Sequence, residues 1–215
     1  MKITDVKLRF AKHYLFVQVY TDAGIVGLGE AGNWGYLQAT AAAIEKFADY
    51  LIGKDPFRIE DFNQNFLRSV YFRGSVIMSA ISAIDIALWD LKAKRAGKPL
   101  WLLLSEMEPE ELVATLDFRY LTDALTPQEA LEILRAAQEG KAERIAHLKE
   151  VGYPGYSTAA GWLGYSDEKM VRLAKQETEV MGFKQIKLKV GQNLEDDLRR
   201  LKLAREAVGP DIAIA

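Results

Sequence analysis

Apolar and polar positions alternate with a period of two over the first thirty residues, a pattern typical of β-strands that bury one face. Two β-rich runs, ITDVKLRFA and HYLFVQVYT, precede a third run, IVGLGEA. The DAG segment at residues 22–24 suits a hairpin turn. We therefore predict a three-stranded meander over residues 1–30.

Helical periodicity follows the three runs. TAAAIEKFADYLIG is predicted to begin at a Thr40 cap and to end at Gly53, and DPFRIEDFNQNFLRSV carries Pro56 in its first turn. The longest predicted helix, SVIMSAISAIDIALWDLKAKRAG, ends at Gly97. Its apolar residues recur at spacings of three and four: Ile77, Ile81, Ile84, Leu88 and Leu91. Strands followed by helices indicate an α+β domain over residues 1–112.

Strand and helix patterns alternate in residues 113–215, which is typical of parallel βα units. LVATLDFRYL, FKQIKLKVG and DIAIA are predicted strands, and YPGYSTAAGWLG is a glycine-rich strand or loop. One long helix capped by Thr126, TPQEALEILRAAQEGKAERIAHLKEVG, and two later helices separate them. A closed eight-stranded barrel needs roughly 250 residues. About three strands are visible here, so this region is either an open sheet or the beginning of a barrel.

Composition narrows the function classes. The chain has 215 residues, of which 49% are hydrophobic and 27% charged, with a formal net charge of -2. This balance argues against a nucleic-acid partner, and the apolar runs are too short to cross a membrane. The chain has no cysteine, which excludes disulfides, thiolate nucleophiles and cysteine-ligated zinc. Because the first residues lack the features of a signal peptide, we expect a cytoplasmic protein.

The strand IKLKVG carries two lysines, Lys187 and Lys189, on one face. Like charges and partial burial both disfavour the protonated form of lysine. At the carboxyl end of a parallel strand, a lysine of this kind could act as a general base. A half-exposed strand with a solvated lysine face would show the same pattern, so the residues alone leave both interpretations open.

Two motifs in this chain resemble those of one enzyme family. The helix AISAIDIALWDLKAKRAGKPLWLLL closely resembles the N-terminal signature of the mandelate racemase branch of the enolase superfamily, with Ser105 in place of the usual glycine. IKLKVG resembles the lysine-x-lysine motif of the second barrel strand in that branch. The resemblance covers essentially the whole chain. It implies an α+β capping domain over residues 1–112, followed in residues 113–215 by the first part of a (β/α) TIM-type barrel.

The resemblance also implies a chemistry. Lys189 would take or return the proton α to a substrate carboxylate, and Lys187 would help to neutralise that carboxylate. A magnesium ion would stabilise the ene-diolate, as is general for this superfamily. The three carboxylate ligands and a histidine–aspartate pair are expected beyond Ala215, so no metal ligand is assigned here. We expect the 215-residue chain to be inactive alone and the intact protein to be a homo-oligomer.

The subfamily resemblance is divided. Residues 113–215 resemble L-fuconate dehydratases, whereas the segments DYLIGKDPFRIEDF and YFRGSVIMSAI are more similar to galactonate dehydratases. Both types remove water from a sugar acid and leave a 2-keto-3-deoxy acid. Two alternatives are a racemase or epimerase of the same superfamily and a catalytically inert, truncated or interaction-only chain.

Aromatic and basic residues in loops are candidates for substrate binding. Trp34 lies in GNWG, Tyr71 and Arg73 lie in YFRG, and Trp162 follows a predicted strand. Glycines beside an aromatic suit a lid over a polyol, and an arginine suits a carboxylate. Plain connecting loops or aromatic core packing would explain the same residues. The remaining polar candidates are expected to be structural or surface residues: Asp85, Asp90, His13 and His147.

Overall fold

A computed structural model describes residues 1–69, 74–119 and 121–215. The chain forms two compact units, Met1–Gly140 and Lys141–Ala215, and each has its own hydrophobic core. The domain boundary expected after residue 112 separates the capping domain from the barrel domain of the family, and it stays a prediction. Among the described residues, every helix is too short or too polar to cross a lipid bilayer.

The first unit begins with the predicted antiparallel meander. β1 (Ile3–Ala11), β2 (Tyr14–Thr21) and β3 (Val26–Glu30) lie in the order β1-β2-β3. The central strand alternates as the sequence pattern requires, because Leu15, Val17 and Val19 are fully buried while their neighbours are not. Every second side chain of β2 therefore faces the core.

Helices follow the sheet in this unit. They are α1 (Leu37–Leu51), α2 (Ile59–Ser69), α3 (Ser75–Arg95), α4 (Leu100–Glu106), α5 (Pro109–Ala114) and α6 (Pro127–Ala136). Of these, α1 and α3 pack extensively against the strands. The apolar stripe predicted for α3 is confirmed: Ile81, Ile84, Leu88 and Leu91 are buried in the core, and Ile77 packs against it. An apolar stripe at this spacing is what fixes the helix against the sheet.

The backbones of α3 and β3 are in direct contact at two glycines. A Cβ atom on Gly27 would lie 2.0 Å from the carbonyl oxygen of Ala87, and one on Gly29 would lie 2.0 Å from that of Ala83. No side chain fits into either space. The two glycines therefore set how closely the helix approaches the sheet.

Two predicted helix starts are wrong. α1 begins after Tyr36, and Thr40 lies inside it, buried, with its hydroxyl donating a hydrogen bond to the Tyr36 carbonyl oxygen at 3.0 Å. A threonine inside a helix bonds the carbonyl four residues back, so its capping propensity misplaces the start. α2 begins at Ile59, beyond the turn that contains Pro56.

The strand predicted from LVATLDFRYL is also wrong. Pro109 occupies the first turn of α5, and Glu110 and Glu111 follow it there, so a helix starts before the β-rich residues and extends through Ala114. Residues 115–119 form turns and irregular backbone rather than a strand. Helix initiation at the proline overrides the strand propensity of the short apolar run.

The long helix predicted after residue 126 is two helices. Its start is confirmed, since Thr126 and Glu129 form a reciprocal capping box at the beginning of α6. The prediction of one continuous helix is wrong, because Gly140 has a φ of +66° and separates α6 from α7 (Lys141–Val151). Glycine tolerates this left-handed conformation and readily ends a helix.

The second unit contains a small parallel sheet. After α7 come a 3₁₀ turn (Ala159–Gly161), α8 (Asp167–Lys175), a π-helical segment (Gln176–Val180), β4 (Gln185–Ile186), α9 (Leu194–Val208) and β5 (Ala213–Ile214). β4 pairs in parallel with β5 on one side and with Ser157 on the other. Hydrogen bonds continue beyond β4, because the Lys189 N–H donates to the Gly161 carbonyl at 2.8 Å. Three parallel segments with intervening helices are the beginning of a βα barrel.

Candidate functional site

The two lysines lie at the carboxyl end of the central parallel segment. Ile186 and Leu188 are 0% and 3% exposed and belong to the core formed with α8 and α9. Lys187 and Lys189 alternate with them and are half-buried. Both lysine side chains therefore leave the strand on the face opposite the helices, which in a βα barrel is the inner face.

Each lysine has an aromatic neighbour. The Lys189 Nζ atom lies 5.4 Å from the centre of the Trp162 ring, and the Lys187 Nζ atom lies 5.5 Å from the centre of the Tyr156 ring. These distances are within the range of a cation–π attraction. Trp162, a candidate from the sequence, is thus beside a lysine. Tyr156 was missed, because its position beside Lys187 depends on the pairing of Ser157 with β4, which is remote in sequence.

Gly161 brings the lysine strand and its neighbour into close contact. A Cβ atom at this position would lie 1.9 Å from the Lys187 carbonyl oxygen and 2.8 Å from the Leu188 Cα atom. The backbone of Gly161 thus lies against the strand between the two lysines. Space, not an unusual φ, requires glycine here.

Two charged residues beneath the lysines were also missed. Arg200 and Asp197, both on α9, are only 4% and 7% exposed. The Arg200 guanidinium donates hydrogen bonds to the carbonyl oxygens of Lys189, Gly161 and Trp162. Such burial is unusual for charged side chains. The only signal in the sequence is that Asp197 and Arg200 lie three residues apart and share one helix face with Ala204.

The other substrate-binding candidates are placed as follows. Trp34 is 60% exposed in the loop after β3, where its ring meets the edge of Tyr14 with 6.4 Å between centroids. It belongs to the first unit, whereas Trp162 and the lysines belong to the second. Tyr71 and Arg73 lie outside the described residues, and their roles stay predictions.

The two aspartates of α3 have structural partners. Asp85 accepts a hydrogen bond from the Asn63 side chain at 2.7 Å, and burial raises the pKa of its carboxyl group above the usual range. Asp90 accepts from the Leu28 N–H at 2.8 Å and pairs with Lys94 at 2.7 Å. Asp90 therefore ties α3 to the backbone of β3.

The two histidines are exposed, as expected from the sequence. His13 lies in the turn between β1 and β2, with its ring centre 5.8 Å from that of Trp34, and His147 lies on α7. Over the described ranges, no three His, Asp or Glu side chains come close enough together to hold a metal ion.

Comparison with known proteins identifies the family. Residues 4–105 match the N-terminal domain of the mandelate racemase / muconate lactonizing enzyme family, and residues 169–215 match the enolase C-terminal domain-like family. The chain belongs to the enolase superfamily. Its fold is the capping domain of that superfamily followed by the start of the barrel domain, as the sequence predicted.

Individual relatives include known dehydratases. Human mitochondrial enolase superfamily member 1 is 36% identical over 212 residues, which are 94% of this chain and 48% of that protein. Its crystal structure matches with a TM-score of 0.85 at 33% identity, covering 99% of this chain and 55% of that one. L-galactonate dehydratase from Hypocrea jecorina is 43% identical over 180 residues, which are 79% of this chain and 40% of that enzyme.

A third relative was crystallised with magnesium. The structure of L-talarate/galactarate dehydratase from Salmonella typhimurium LT2, liganded with Mg and L-lyxarohydroxamate, matches with a TM-score of 0.64 at 27% identity. The match covers 94% of this chain and 41% of that one. The chain spans about half the length of the curated relatives it matches.

Proposed function

We propose that the complete protein carrying this chain is a magnesium-dependent hydro-lyase that dehydrates a sugar acid to a 2-keto-3-deoxy acid. The observation that carries the proposal is the lysine pair. Lys187 and Lys189 share one face at the carboxyl end of the central parallel segment, half-buried beside aromatic rings. The inner face of a barrel at the carboxyl ends of its strands is where such folds place catalytic groups.

The two lysines have different roles in this proposal. Lys189 removes the proton from C2 of the substrate, and the electrons of that C–H bond pass into the carboxylate to give an ene-diolate. These electrons then form the double bond between C2 and C3 as the C3–O bond breaks and the hydroxyl leaves. The leaving oxygen takes a proton from a donor outside this chain and departs as water. The resulting enol then tautomerises to the 2-keto acid. Lys187 stabilises the negative charge that develops on the carboxylate.

The aromatic neighbours suit a sugar acid. The rings of Tyr156 and Trp162 offer apolar faces to the C–H groups of a polyol chain, while Lys187 beside Tyr156 attracts its carboxylate. When bound, magnesium would stabilise the ene-diolate, and the family resemblance implies that its carboxylate ligands lie beyond Ala215.

Two substrates are the strongest candidates. The resemblance of residues 113–215 favours L-fuconate, and the similarity to L-galactonate dehydratase favours L-galactonate. L-Fuconate is 6-deoxy-L-galactonate, so the two acids share their configuration and differ in one terminal hydroxyl. We propose that the site accepts this configuration. The cytoplasmic location and the homo-oligomeric state stay predictions.

The test uses the complete protein with a panel of sugar acids that includes L-fuconate and L-galactonate, assayed for 2-keto product with and without EDTA. Replacing Lys189 by Met keeps the stem but removes the base, and we expect kcat to fall by about 10²–10⁴-fold. Lys184→Met is the matched control, because Lys184 is an exposed lysine of the same segment, before β4.

Three results would contradict parts of the proposal. Full activity in Lys189→Met would move the role of base to another residue. Exchange of the C2 proton in D₂O without a 2-keto product would favour a racemase or epimerase. Product formation that is unaffected by EDTA would remove magnesium from the mechanism.

A further inference from the structure

Arg200 contacts the backbone at the point where the candidate base leaves the sheet. Its Nη1 atom donates a hydrogen bond to the Lys189 carbonyl oxygen at 2.8 Å. Its Nη2 atom donates to the carbonyl oxygens of Gly161 and Trp162, both at 3.2 Å. One guanidinium therefore joins the ends of two adjacent parallel segments, one carrying Lys189 and the other carrying the ring beside it.

Asp197 holds the same segment two residues beyond Lys189, at Gly191. Its Oδ2 atom accepts a hydrogen bond from the Gly191 N–H at 2.7 Å. Asp197 and Arg200 lie three residues apart on α9 and so share one face of the helix. Between them they bind the carbonyl of Lys189 and the amide of Gly191.

Asp197 and Arg200 are charged side chains that are both buried. Placing a charged side chain in a protein interior costs free energy unless hydrogen bonds compensate the lost hydration. An apolar residue would fill the same positions beside Ala204 without that cost. The three hydrogen bonds from Arg200 all go to backbone atoms at the site, which indicates that the guanidinium serves to fix them.

We infer that Arg200, assisted by Asp197, is a positioning residue that fixes Lys189 and Trp162 relative to each other. We call the hydrogen bonds from Arg200 and Asp197 to this backbone the clamp. The clamp is seen in the structure, and only its effect on catalysis rests on the proposed function. A base must be held close to its reactive geometry, and a displacement of about 1 Å can cost as much as 10²-fold in rate. Arg200 and Asp197 act only through Lys189 and Trp162 and do not contact the substrate themselves.

The first readout is independent of activity. Amide hydrogen exchange in the complete protein compares two N–H groups of the same sheet. Lys189 donates to Gly161 beside the clamp, and Ala213 donates to Lys184 at the opposite end. In Arg200→Met we expect the Lys189 amide to exchange at least about 10-fold faster while the Ala213 amide is unchanged, because only the clamped end opens.

The second readout is kinetic. We expect Arg200→Met to lower kcat by about 10²-fold with a smaller change in KM, since substrate contacts remain while the base is misplaced. Arg200→Lys should recover part of both losses, because one ammonium group cannot satisfy three carbonyls in the fixed geometry of a guanidinium. Arg199→Met is the control: Arg199 is half-exposed and pairs with Asp167 and Asp196, and it should leave both readouts unchanged.

The outcomes separate the two proposals. An unchanged Lys189 amide in Arg200→Met, or equally faster exchange at Ala213, would overturn the clamp and leave Arg200 with no role or a general role in folding. If Arg200→Met does not fold, the same comparison in Arg200→Lys decides. A complete protein without dehydratase activity would refute the proposed function, whereas the exchange ratio would still test the clamp.

Discussion

The two compact units differ in how their structure is specified. In Met1–Gly140 a large core forms between a hairpin-connected sheet and the helices that follow it directly in the chain. In Lys141–Ala215 the core is built from six buried residues, and the strands pair only with segments that are distant in sequence. Local sequence patterns therefore specify most of the structure of the first unit. The second, which carries the candidate base, depends on a few long-range hydrogen bonds.

The largest effect that would test this difference is expected at the α3–β3 contact. Gly29→Ala places a Cβ atom against the Ala83 carbonyl, so the helix must move off the sheet. We expect the free energy of unfolding to fall by about 3 kcal/mol, measured by urea denaturation. Gly32→Ala is the control, since its nearest atoms lie 3.9 Å away. Equal stability of the two variants would show that the backbone contact is not rigid.

The equivalent change in the second unit should affect activity more than stability. Gly161→Ala forces the backbone away from Lys187, and with it the pairing of the strand that holds Lys189. We expect about 1–3 kcal/mol of destabilisation together with a loss of most activity in the complete protein. Gly155→Ala meets nothing within 4 Å and should change neither Tm nor kcat. A fully active Gly161→Ala variant would contradict the requirement for this close approach.

The confirmed helix predictions show which parts of the fold can be predicted from the sequence. The stripe on α3 and the Thr126 cap are local patterns, and the structure has both. The strand predicted from LVATLDFRYL failed because the signal at Pro109 was stronger than short-range β propensity. The pairing of β4 with Ser157 could not be read locally, because its hydrogen-bond partners are remote in sequence.

In the first half of α9 the hydrophobic pattern is misleading. Leu194 and Leu198 are 75% and 57% exposed, whereas Asp197 and Arg200 are buried. Reading apolar residues as buried would place the two charged residues in solvent. The lysine pair could be predicted from the pattern of its own strand. Asp197 and Arg200, which bind the backbone of that strand segment, could not. Violations of the apolar pattern are expected where function competes with stability.

A smaller stability effect is expected at the N-terminus of α6. Thr126→Ala removes the hydroxyl that accepts the Glu129 N–H and should destabilise the protein by about 1 kcal/mol, measured as a shift in Tm. Thr158 precedes the 3₁₀ turn without a capping hydrogen bond from its side chain, so Thr158→Ala should have little effect. Equal shifts for the two variants would mean that the capping box contributes nothing.

The smallest effects are pH-dependent and opposite in sign. Burial raises the pKa of Asp85, so ionising it costs more in the folded protein, and this cost appears as pH rises above about 4. Asp85→Asn should therefore raise Tm near neutral pH by at most a few degrees, with no gain at lower pH.

Glu129 provides the contrasting case in the same unit. Hydrogen bonds from Thr126 lower the pKa of Glu129, so its stabilisation is present above the pKa of the unfolded chain and is lost as pH falls through the folded value. Glu129→Gln should lower Tm near neutral pH and lose its effect in acid. Thermal unfolding of both variants between pH 3 and 7 checks the signs, and parallel curves would refute both assignments.

The direct contact between α3 and β3 also has a consequence for motion. Because Gly27 and Gly29 seat the strand on the helix backbone, β3 cannot slide along α3 without first lifting away from it. The loop that carries Trp34 begins one residue after this fixed strand and contains Gly35 at a φ of +85°. Its stem is therefore anchored, and any swing of the indole must come from torsions within residues 31–36. Nanosecond relaxation of backbone amides should show a sharp step in order parameter at Ala31, with the rigid side toward the sheet.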